Sequence, residues 1–289
     1  MSRPVGRPVQ TVGTDELRSA LERSLSRYFG EQRRVAELTR RPSAYSTSFA
    51  IEELDAHLDD GTSLRLLFKD LSQQAMLGSA RRIKPAFLYD PLREIETYRT
   101  ILGPNRLSTP ACYGAFVDRR SGRYGLFLEK VPGLELYQVG NFAAWQRVAR
   151  WLAAMHARFA GEAVRFERAA CLLRYDADFY RLWIRRARAA SRVAWDRSGS
   201  SRSGGVRRGV ERLSRNYDRV VEHLMALPET FIHGEFYASN VLVQETARGE
   251  LRVCPVDWEM AAVGPGLIDL AALTAGGWTA DEKTDLALA

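Results

Sequence analysis

The stretch between residues 231 and 258 constrains the fold more than any other part of the sequence. Two short apolar runs flank a polar turn there, a pattern that predicts a β-hairpin. Asn240 immediately precedes the first run, and Asp257 follows the second. Because the outer ends of a hairpin lie side by side, we expect these two side chains to meet at its open end, which we call the hairpin mouth. Their oxygen atoms are ligands of the kind that Mg²⁺ binds, so the pattern predicts a metal site.

Other polar residues surround this predicted metal site. Glu235 stands five positions before Asn240, and its carboxylate is suited to accept a proton from a hydroxyl group near the metal. We interpret His233 as a packed residue whose imidazole pins the loop by hydrogen bonding. We interpret Asp269, which follows a glycine- and proline-containing turn, as a structural carboxylate that accepts hydrogen bonds from loop N–H groups.

Composition places the chain among globular proteins. Its 289 residues can bury a substantial core in one large or two modest domains, and 46% of them are hydrophobic and 27% charged. No apolar run approaches the length of a membrane span, and residues 1–13 lack the apolar stretch of a secretory signal. The three cysteines are far apart and odd in number, which favours a reducing, cytoplasmic location and argues against a paired-cysteine zinc site.

The net charge of +7 is unevenly distributed. Residues 160–227 contain 15 arginines, no lysine and 8 acidic residues, so this segment carries the whole excess. Two interpretations stay open, namely a solvated arginine-rich helical face and a site that attracts an anionic ligand. We do not expect nucleic-acid binding, because the aromatic residues there do not alternate with the arginines as a base-stacking surface requires.

Periodicity in residues 1–130 predicts a small lobe that contains both helices and strands. Apolar residues recur at helical spacing over 14–29 and again over 91–102. Strands are predicted in two turn-linked pairs, over 49–58, 63–70, 111–117 and 124–129. The fold class is therefore α+β, with an antiparallel sheet in this first lobe.

The remaining residues, 131–289, form a second lobe that is predicted to be mainly helical. Val131, Pro132 and Gly133 interrupt the regular patterns and mark the boundary. This lobe includes the hairpin region 231–258. A glycine- and serine-rich stretch at 198–205 predicts a flexible insertion.

The hairpin region resembles the signature of the aminoglycoside phosphotransferase and choline kinase-like family, whose members are related to protein kinases. That signature consists of His-Gly-Asp with an asparagine five residues after the aspartate, then Asp-Trp, then Asp-Leu five residues after a glycine. The matching elements here are His233-Gly234-Glu235 with Asn240, Val256-Asp257-Trp258, and Gly264 with Asp269-Leu270. The segments 93–98 and 152–157 also resemble family helices, so the likeness covers about residues 40–275.

The resemblance implies a two-lobed protein-kinase-like fold that binds ATP and Mg²⁺. Asn240 and Asp257 would hold the metal ion, and Glu235 would be the base on the acceptor side. Lys69 would hold phosphates, and Glu94 would pair with Lys69 and orient it. The alternative for this last pair is an edge lysine and a solvated helix glutamate.

Two weaker parts of the nucleotide site follow from the same resemblance. Three hydroxyl residues stand where a glycine-rich loop would cover the phosphates, and they are Ser46, Thr47 and Ser48. The loop contains no glycine, so its small side chains would have to let backbone N–H groups approach the phosphates. Glu129 and Val131 stand at the hinge between the lobes, where backbone groups would bind adenine.

The chain departs from the family pattern at the catalytic position, where Glu235 replaces aspartate. The extra methylene extends the carboxylate by about 1 Å or more, a displacement that can lower a rate about 100-fold. Two functions therefore stay open. One is an ATP- and Mg²⁺-dependent phosphotransferase that acts on a hydroxyl group of a small molecule. The other is a nucleotide-binding, pseudokinase-like regulatory protein with weak or no activity. Because the metal ligands are retained, we favour the enzyme.

The sequence says less about the acceptor. The arginine-rich segment 160–227, where family members place acceptor contacts, favours a neutral or anionic acceptor over a polycation. The sequence ends 20 residues after Asp269, whereas family members continue through further helices that line the acceptor site. We therefore expect either a shortened acceptor pocket or a truncated chain.

Overall fold

The computed structural model describes residues 12–46, 48–198 and 201–289. An antiparallel five-stranded sheet forms the first lobe, in the order β1-β2-β3-β5-β4. Its strands are β1 (Val35–Pro42), β2 (Ile51–Leu58), β3 (Ser63–Asp70), β4 (Cys112–Asp118) and β5 (Arg123–Glu129). The antiparallel sheet of the first lobe is therefore as predicted, whereas the boundary at residue 130 stays a prediction.

Helix α1 (Thr14–Phe29) packs on this sheet. Its apolar stripe of Leu17, Leu21 and Leu25 is fully buried, because apolar residues at this spacing share one face of a helix. The helix ends at Gly30, whose φ of 76° is the left-handed conformation that glycine adopts without strain. The helix predicted over 14–29 is confirmed.

The edge strand β1 has no counterpart among the strands predicted from the sequence. Val35 is its only buried side chain, and five of its other seven residues are exposed. A strand with one buried residue lacks the alternation of apolar and polar residues from which strands are predicted. Its charged residues pair with β2, as in the Arg40–Glu52 ion pair, and such pairs are common on protected sheet edges.

A long connection between β3 and the next sheet strand contains α2 (Gly78–Ile83), α3 (Pro91–Thr97) and α4 (Gly103–Asn105). Asp90 caps α3 by accepting a hydrogen bond from Leu92 N at 2.9 Å. A π-helical turn, Tyr98–Leu102, continues the helix to the end that was predicted. Arg93 is 4% exposed and donates to the carbonyl oxygens of Leu88, Cys171 and Glu259, each at 2.9 Å. These bonds fasten α3 to the second lobe.

The second lobe is mainly helical. Its helices are α5 (Phe142–Phe159), α6 (Ala163–Glu167), α7 (Ala177–Ser198), α8 (Ser201–Met225), α9 (Leu267–Leu273) and α10 (Ala280–Leu288). Two small sheets are formed by β6 (Leu134–Glu135), β7 (Leu173–Arg174), β8 (Glu229–Ile232), β9 (Val241–Glu245), β10 (Leu251–Pro255) and β11 (Ala262–Pro265). Across the described ranges no helix combines the length and apolar character that crossing a bilayer requires.

The prediction of a flexible insertion at 198–205 is wrong for the residues described. Residues 201–205 begin α8, which packs along α7 as an antiparallel helical pair. A Cβ atom at Gly204 would lie 2.5 Å from the Trp195 ring. The glycine therefore permits a close approach of two helices and does not mark a flexible linker. Residues 199 and 200 of the predicted insertion lie outside the described ranges.

The predicted hairpin is formed by β9 and β10, which pair with Val241 opposite Pro255. Just beyond the strands, Val256 N donates to Asn240 O at 2.9 Å. This bond brings the outer ends of the hairpin together, as the sequence predicted. Strand β8 pairs with β11 instead, so the first residues of the predicted hairpin 231–258 belong to a different sheet.

Asp269, in the first turn of α9, is fully buried and fixes the turn that precedes Glu235. Its carboxylate accepts hydrogen bonds from the backbone N–H groups of His233 at 2.7 Å and Gly234 at 2.8 Å. Gly234 has a φ of 85°, and a Cβ there would lie 2.4 Å from the Met260 carbonyl oxygen. The interpretation of Asp269 as a structural acceptor of loop N–H groups is confirmed.

We predict that Asp269→Asn lowers the free energy of unfolding by about 3 kcal/mol, because the amide nitrogen would face a buried backbone N–H group. Urea denaturation measures this change. The matched control is Asp285→Asn on the exposed side of α10, for which a change of at most about 0.5 kcal/mol is expected. A loss below about 1 kcal/mol for Asp269→Asn would show that the two hydrogen bonds contribute little.

Candidate active site

Three predicted residues meet in one buried ionic cluster. Lys69 is at the end of β3, Glu94 is on α3, and Asp257 follows β10. The Lys69 Nζ atom lies 2.6 Å from Glu94 Oε2 and 2.5 Å from Asp257 Oδ1. Only 7% of the Lys69 side chain and 2% of the Glu94 side chain are exposed. The ion pair that the resemblance implied is therefore present, and the alternative of an edge lysine is wrong.

The ionisation of this cluster follows from its burial and its charges. Burial alone would lower the pKa of Lys69, but the carboxylates of Asp257 and Glu94 more than offset this and raise it. Burial alone would raise the pKa of Asp257, yet the neighbouring ammonium group holds it below its ordinary value. For Glu94 burial dominates and raises the pKa to about 7. Lys69 and Asp257 are therefore both charged at neutral pH.

Asn240 lies at the same mouth of the hairpin as Asp257. Its Nδ2 atom donates to the Glu235 carbonyl oxygen at 2.9 Å, which leaves the amide oxygen for another partner. Asp257 contacts Lys69 through Oδ1, and its side chain is 25% exposed, so a cation can reach it. Among the residues described, no group of three or more His, Cys, Asp or Glu side chains is arranged to hold a metal. Two protein oxygens fit Mg²⁺, which usually takes its remaining ligands from phosphates and water.

Asp257 also has an unusual backbone conformation. Its φ of 65° and ψ of 62° lie in the left-handed region, which non-glycine residues seldom adopt. The next residue, Trp258, is fully buried, stacks on Phe231 at 5.4 Å and donates from its indole to Pro255 O. The packed tryptophan fixes the chain on one side of Asp257, and the hairpin fixes it on the other. Strain of this kind is typical of functional positions.

Glu235 lies in the loop between β8 and β9, close to the ionic cluster. Burial raises the pKa of Glu235 to about 7, and the negative charges of Asp257 and Glu259 contribute to the increase. A carboxylate with this pKa changes protonation state near neutral pH, as a general base requires. Glu235 is also close enough to Tyr175 for its charge to raise the pKa of that phenol, which burial already raises.

His233 is fully buried beneath this loop. Its Nε2 atom lies 2.9 Å from Val256 O, and its Nδ1 atom accepts from Glu235 N at 3.3 Å. Burial lowers the pKa of His233, so the ring is neutral and its Nε2–H donates to the carbonyl. The interpretation of His233 as a packed residue that pins the loop is confirmed.

The loop predicted to cover the phosphates is held by hydrogen bonds to its serines. Ile51 N donates to the Ser46 hydroxyl at 3.1 Å, and that hydroxyl donates to Ser43 O at 3.1 Å. Ser48 Oγ donates to Glu259 Oε1 at 3.0 Å, which ties the loop to the second lobe. Thr47 lies outside the described residues. The phosphate-binding role of this loop stays a prediction.

At the predicted hinge, the Glu129 side chain already has protein partners. Its carboxylate pairs with Arg252 at 2.8 Å and accepts from Ala111 N at 3.0 Å, while Glu129 N donates to Ala111 O. Val131 is buried, and its carbonyl oxygen accepts from Gly133 N at 3.0 Å. A contact of Glu129 with adenine would therefore involve its backbone carbonyl, and both hinge roles stay predictions.

Sequence reasoning missed two members of the site. Glu259 is 8% exposed, and its Oε2 atom lies 2.5 Å from Lys84 Nζ. Glu259 follows Asp257-Trp258 directly, and this proximity to a predicted metal ligand was a signal that could have identified it. Lys84 comes from the end of α2, and its only signal was the scarcity of lysine in this chain.

A separate cleft of about 940 Å³ lies between α1, β4 and the π-helical turn. Arg27, Arg99 and Arg106 are among its lining residues, and none of the predicted site residues contacts it. Volume alone would favour this cleft, but it lacks a carboxylate, a metal ligand set and a buried charge. The ionic cluster is therefore the candidate active site.

Comparison with known proteins identifies the family of the chain. A family model described as the phosphotransferase enzyme family matches residues 80–289, which include Glu94, Glu235, Asn240 and Asp257. A search of curated proteins gave no match to the sequence.

Solved structures share the fold at low sequence identity. Choline kinase LicA from Streptococcus pneumoniae is 14% identical, with a TM-score of 0.53 that covers 93% of this chain and 78% of that one. A Plasmodium vivax ethanolamine kinase is 13% identical, with a TM-score of 0.54 and coverage of 86% and 66%. An aminoglycoside phosphotransferase from Streptomyces rimosus, in complex with ADP and streptomycin, is 12% identical, with a TM-score of 0.50 and coverage of 86% and 90%.

These likenesses show a common two-lobed kinase-like fold, and the family model spans most of the chain, including the predicted signature. The chain therefore belongs to the phosphotransferase enzyme family, as its sequence predicted.

Proposed function

We propose that the protein transfers the γ-phosphoryl group of ATP to a hydroxyl group of a small molecule. The observation that carries this proposal is the buried Lys69 ammonium between Glu94 and Asp257, at the mouth where Asn240 also lies. Phosphoryl transfer needs phosphates held, negative charge neutralised and a hydroxyl aimed, and it needs little covalent chemistry from the protein.

Lys69 binds phosphate oxygens in this proposal, with Glu94 holding the ammonium group in position. The hydrogen bonds of Arg93 to the second lobe support that role, because they fix α3 and therefore Glu94. The loop that contains Ser48 covers the phosphates. Asn240 and Asp257 would hold Mg²⁺, which supplies charge neutralisation at the phosphates.

Glu235 is the base on the acceptor side. As the acceptor oxygen forms its bond to the γ-phosphorus, the bond from that phosphorus to the bridging oxygen breaks and ADP leaves. The hydroxyl proton passes to the Glu235 carboxylate. A pKa of about 7 supports this role, since the group is then basic enough to accept the proton and still ionised near neutral pH.

A second candidate function is nucleotide-dependent regulation with little or no transfer. The replacement of aspartate by Glu235 favours it, because the carboxylate is displaced by about 1 Å or more. The two candidates differ in one measurable property. An enzyme consumes ATP in proportion to acceptor, whereas a regulatory protein binds nucleotide without acceptor-dependent turnover.

The acceptor in this proposal is neutral or anionic. Helices α7 and α8 carry most of the excess positive charge, and many of their arginines are exposed. A positive field disfavours a polycation near these helices.

We predict that Mg·ATP raises the melting temperature of the wild-type protein and that Asp257→Ala abolishes this increase. At a nucleotide concentration of about 100 times Kd, binding stabilises the native state by about 2.7 kcal/mol, which corresponds to several degrees. Each variant is compared with its own melting temperature without ligand, and Asp285→Ala on exposed α10 is the control. An undiminished increase in Asp257→Ala would refute the metal assignment.

For the acceptor, we expect ADP release from Mg·ATP to depend on at least one neutral or acidic hydroxyl compound in a panel that also contains cationic aminoglycosides. A coupled ADP assay follows the reaction, and phosphorylated product is identified by mass spectrometry. Turnover with the polycations alone would contradict the acceptor class, and no turnover with any compound would favour regulation.

With an acceptor identified, the rate should fall about tenfold for each pH unit below 7, because the base must be unprotonated. Glu235→Gln should lower the rate about 100-fold or more and remove this dependence. Glu235→Asp should lower it as well, since the carboxylate would withdraw by about 1 Å. A higher rate in Glu235→Asp would show instead that the native glutamate suppresses transfer.

A further inference from the structure

Lysine is rare in this chain, and its placement is uneven. Of the 42 lysine and arginine residues only four are lysine, namely Lys69, Lys84, Lys130 and Lys283. Arginine therefore supplies nearly all of the positive charge. An ammonium group differs from a guanidinium in being a compact point charge on a flexible stem. Two of the four lysines, Lys69 and Lys84, lie in the buried candidate active site.

Lys84 reaches the site from the end of α2, outside the elements that carry the family signature. Its side chain is 12% exposed, and Nζ lies 2.5 Å from Glu259 Oε2 and 5.5 Å from the centre of the Phe49 ring. The other oxygen of the same carboxylate accepts from Ser48. Lys84 is thus held beside the loop that covers the phosphates.

The Lys84 ammonium also lies near two residues of the proposed transfer, because its partner Glu259 stands two positions after Asp257. Its positive charge is close enough to lower the pKa of both Glu235 and Asp257. One of these is the acceptor-side base and the other a metal ligand. Glu259 thus ties Lys84 to the loop at Ser48, whereas Lys69 is paired with Glu94 and Asp257.

The charge balance of the site indicates that Lys84 can bind a phosphate group. Four carboxylates face two ammonium groups there, and a nucleoside triphosphate would add further negative charge. An ammonium group has three N–H donors, and Glu259 is the ion-pair partner of Lys84 in the described part of the chain. Donors therefore remain for a phosphate.

We infer that Lys84 is a second phosphate-binding lysine, which contacts the γ-phosphoryl group of a nucleoside triphosphate and is positioned by Glu259. This inference rests on the proposed function and extends it. The ammonium group neutralises charge on the γ-phosphoryl oxygens while the bond to the leaving ADP breaks and the bond to the acceptor oxygen forms. The protein would then prefer a triphosphate to a diphosphate.

The test compares the affinities of a non-hydrolysable ATP analogue, with an imido group between the β and γ phosphorus atoms, and of ADP, both with Mg²⁺. Isothermal titration calorimetry on the full chain gives Kd for each. Lys84→Met should weaken binding of the triphosphate about tenfold or more, the effect of losing a charge-assisted hydrogen bond. Binding of ADP should change less than about twofold, since ADP lacks the γ-phosphoryl group. The matched control is Lys283→Met on exposed α10, which should change neither Kd.

A second variant separates the effect of the substitution on nucleotide binding from its effect on folding. Lys84→Met leaves Glu259 buried without its partner, so the double variant Lys84→Met/Glu259→Gln removes both charges and keeps the shape of the cluster. The same selective loss of triphosphate binding is expected in it. Equal weakening of ADP and the triphosphate in both variants would overturn the inference and make Lys84 a structural clamp. Wild-type protein that binds neither nucleotide would overturn the proposed function itself.

Discussion

The buried Lys69 ammonium is the interaction on which the site depends. Removing a charge from water is costly, and a buried lysine is tolerated only when carboxylates and hydrogen bonds compensate it. Glu94 and Asp257 supply that compensation from α3 and from the end of the β9–β10 hairpin. Three elements far apart in sequence are therefore joined at one atom. Removing either carboxylate would leave an unbalanced buried charge. The same ion pairs connect the two lobes and align the residues that are proposed to hold the phosphates.

The rest of the fold acts to keep these partners in place. Arg93 bonds α3 to three carbonyl oxygens, one of them at Glu259, and so limits movement of Glu94. Asp269 fixes the turn before Glu235 through two backbone N–H groups. The apolar core supports both anchors, because it runs from Ile95 and Leu128 in the first lobe to Trp258 in the second. Because this core is continuous across the lobes, it limits the movement of one lobe relative to the other at the site.

The sequence predicted those features whose signals are local. The hairpin followed from apolar runs around a turn, α1 from helical spacing, and the role of Asp269 from its place after a glycine turn. Strand β1 was missed because a single buried residue gives no alternation, and the start of α8 was missed because Gly204 resembles a linker residue until Trp195 is seen against it. The contacts of Glu259 with Lys84 and Ser48 join residues about 175 and 211 positions apart. Nothing local in a sequence specifies such a pairing, so only the folded chain reveals it.

Every role proposed for the site requires that Asn240 and Asp257 bind one divalent cation at the hairpin mouth. A crystal structure with Mn²⁺ and a non-hydrolysable ATP analogue, recorded at a wavelength where manganese scatters anomalously, tests it most directly. We expect one anomalous peak about 2.1 Å from an oxygen of each side chain and bridged to the nucleotide phosphates. A nucleotide bound with its metal elsewhere, or the two side chains turned apart in that complex, would contradict it.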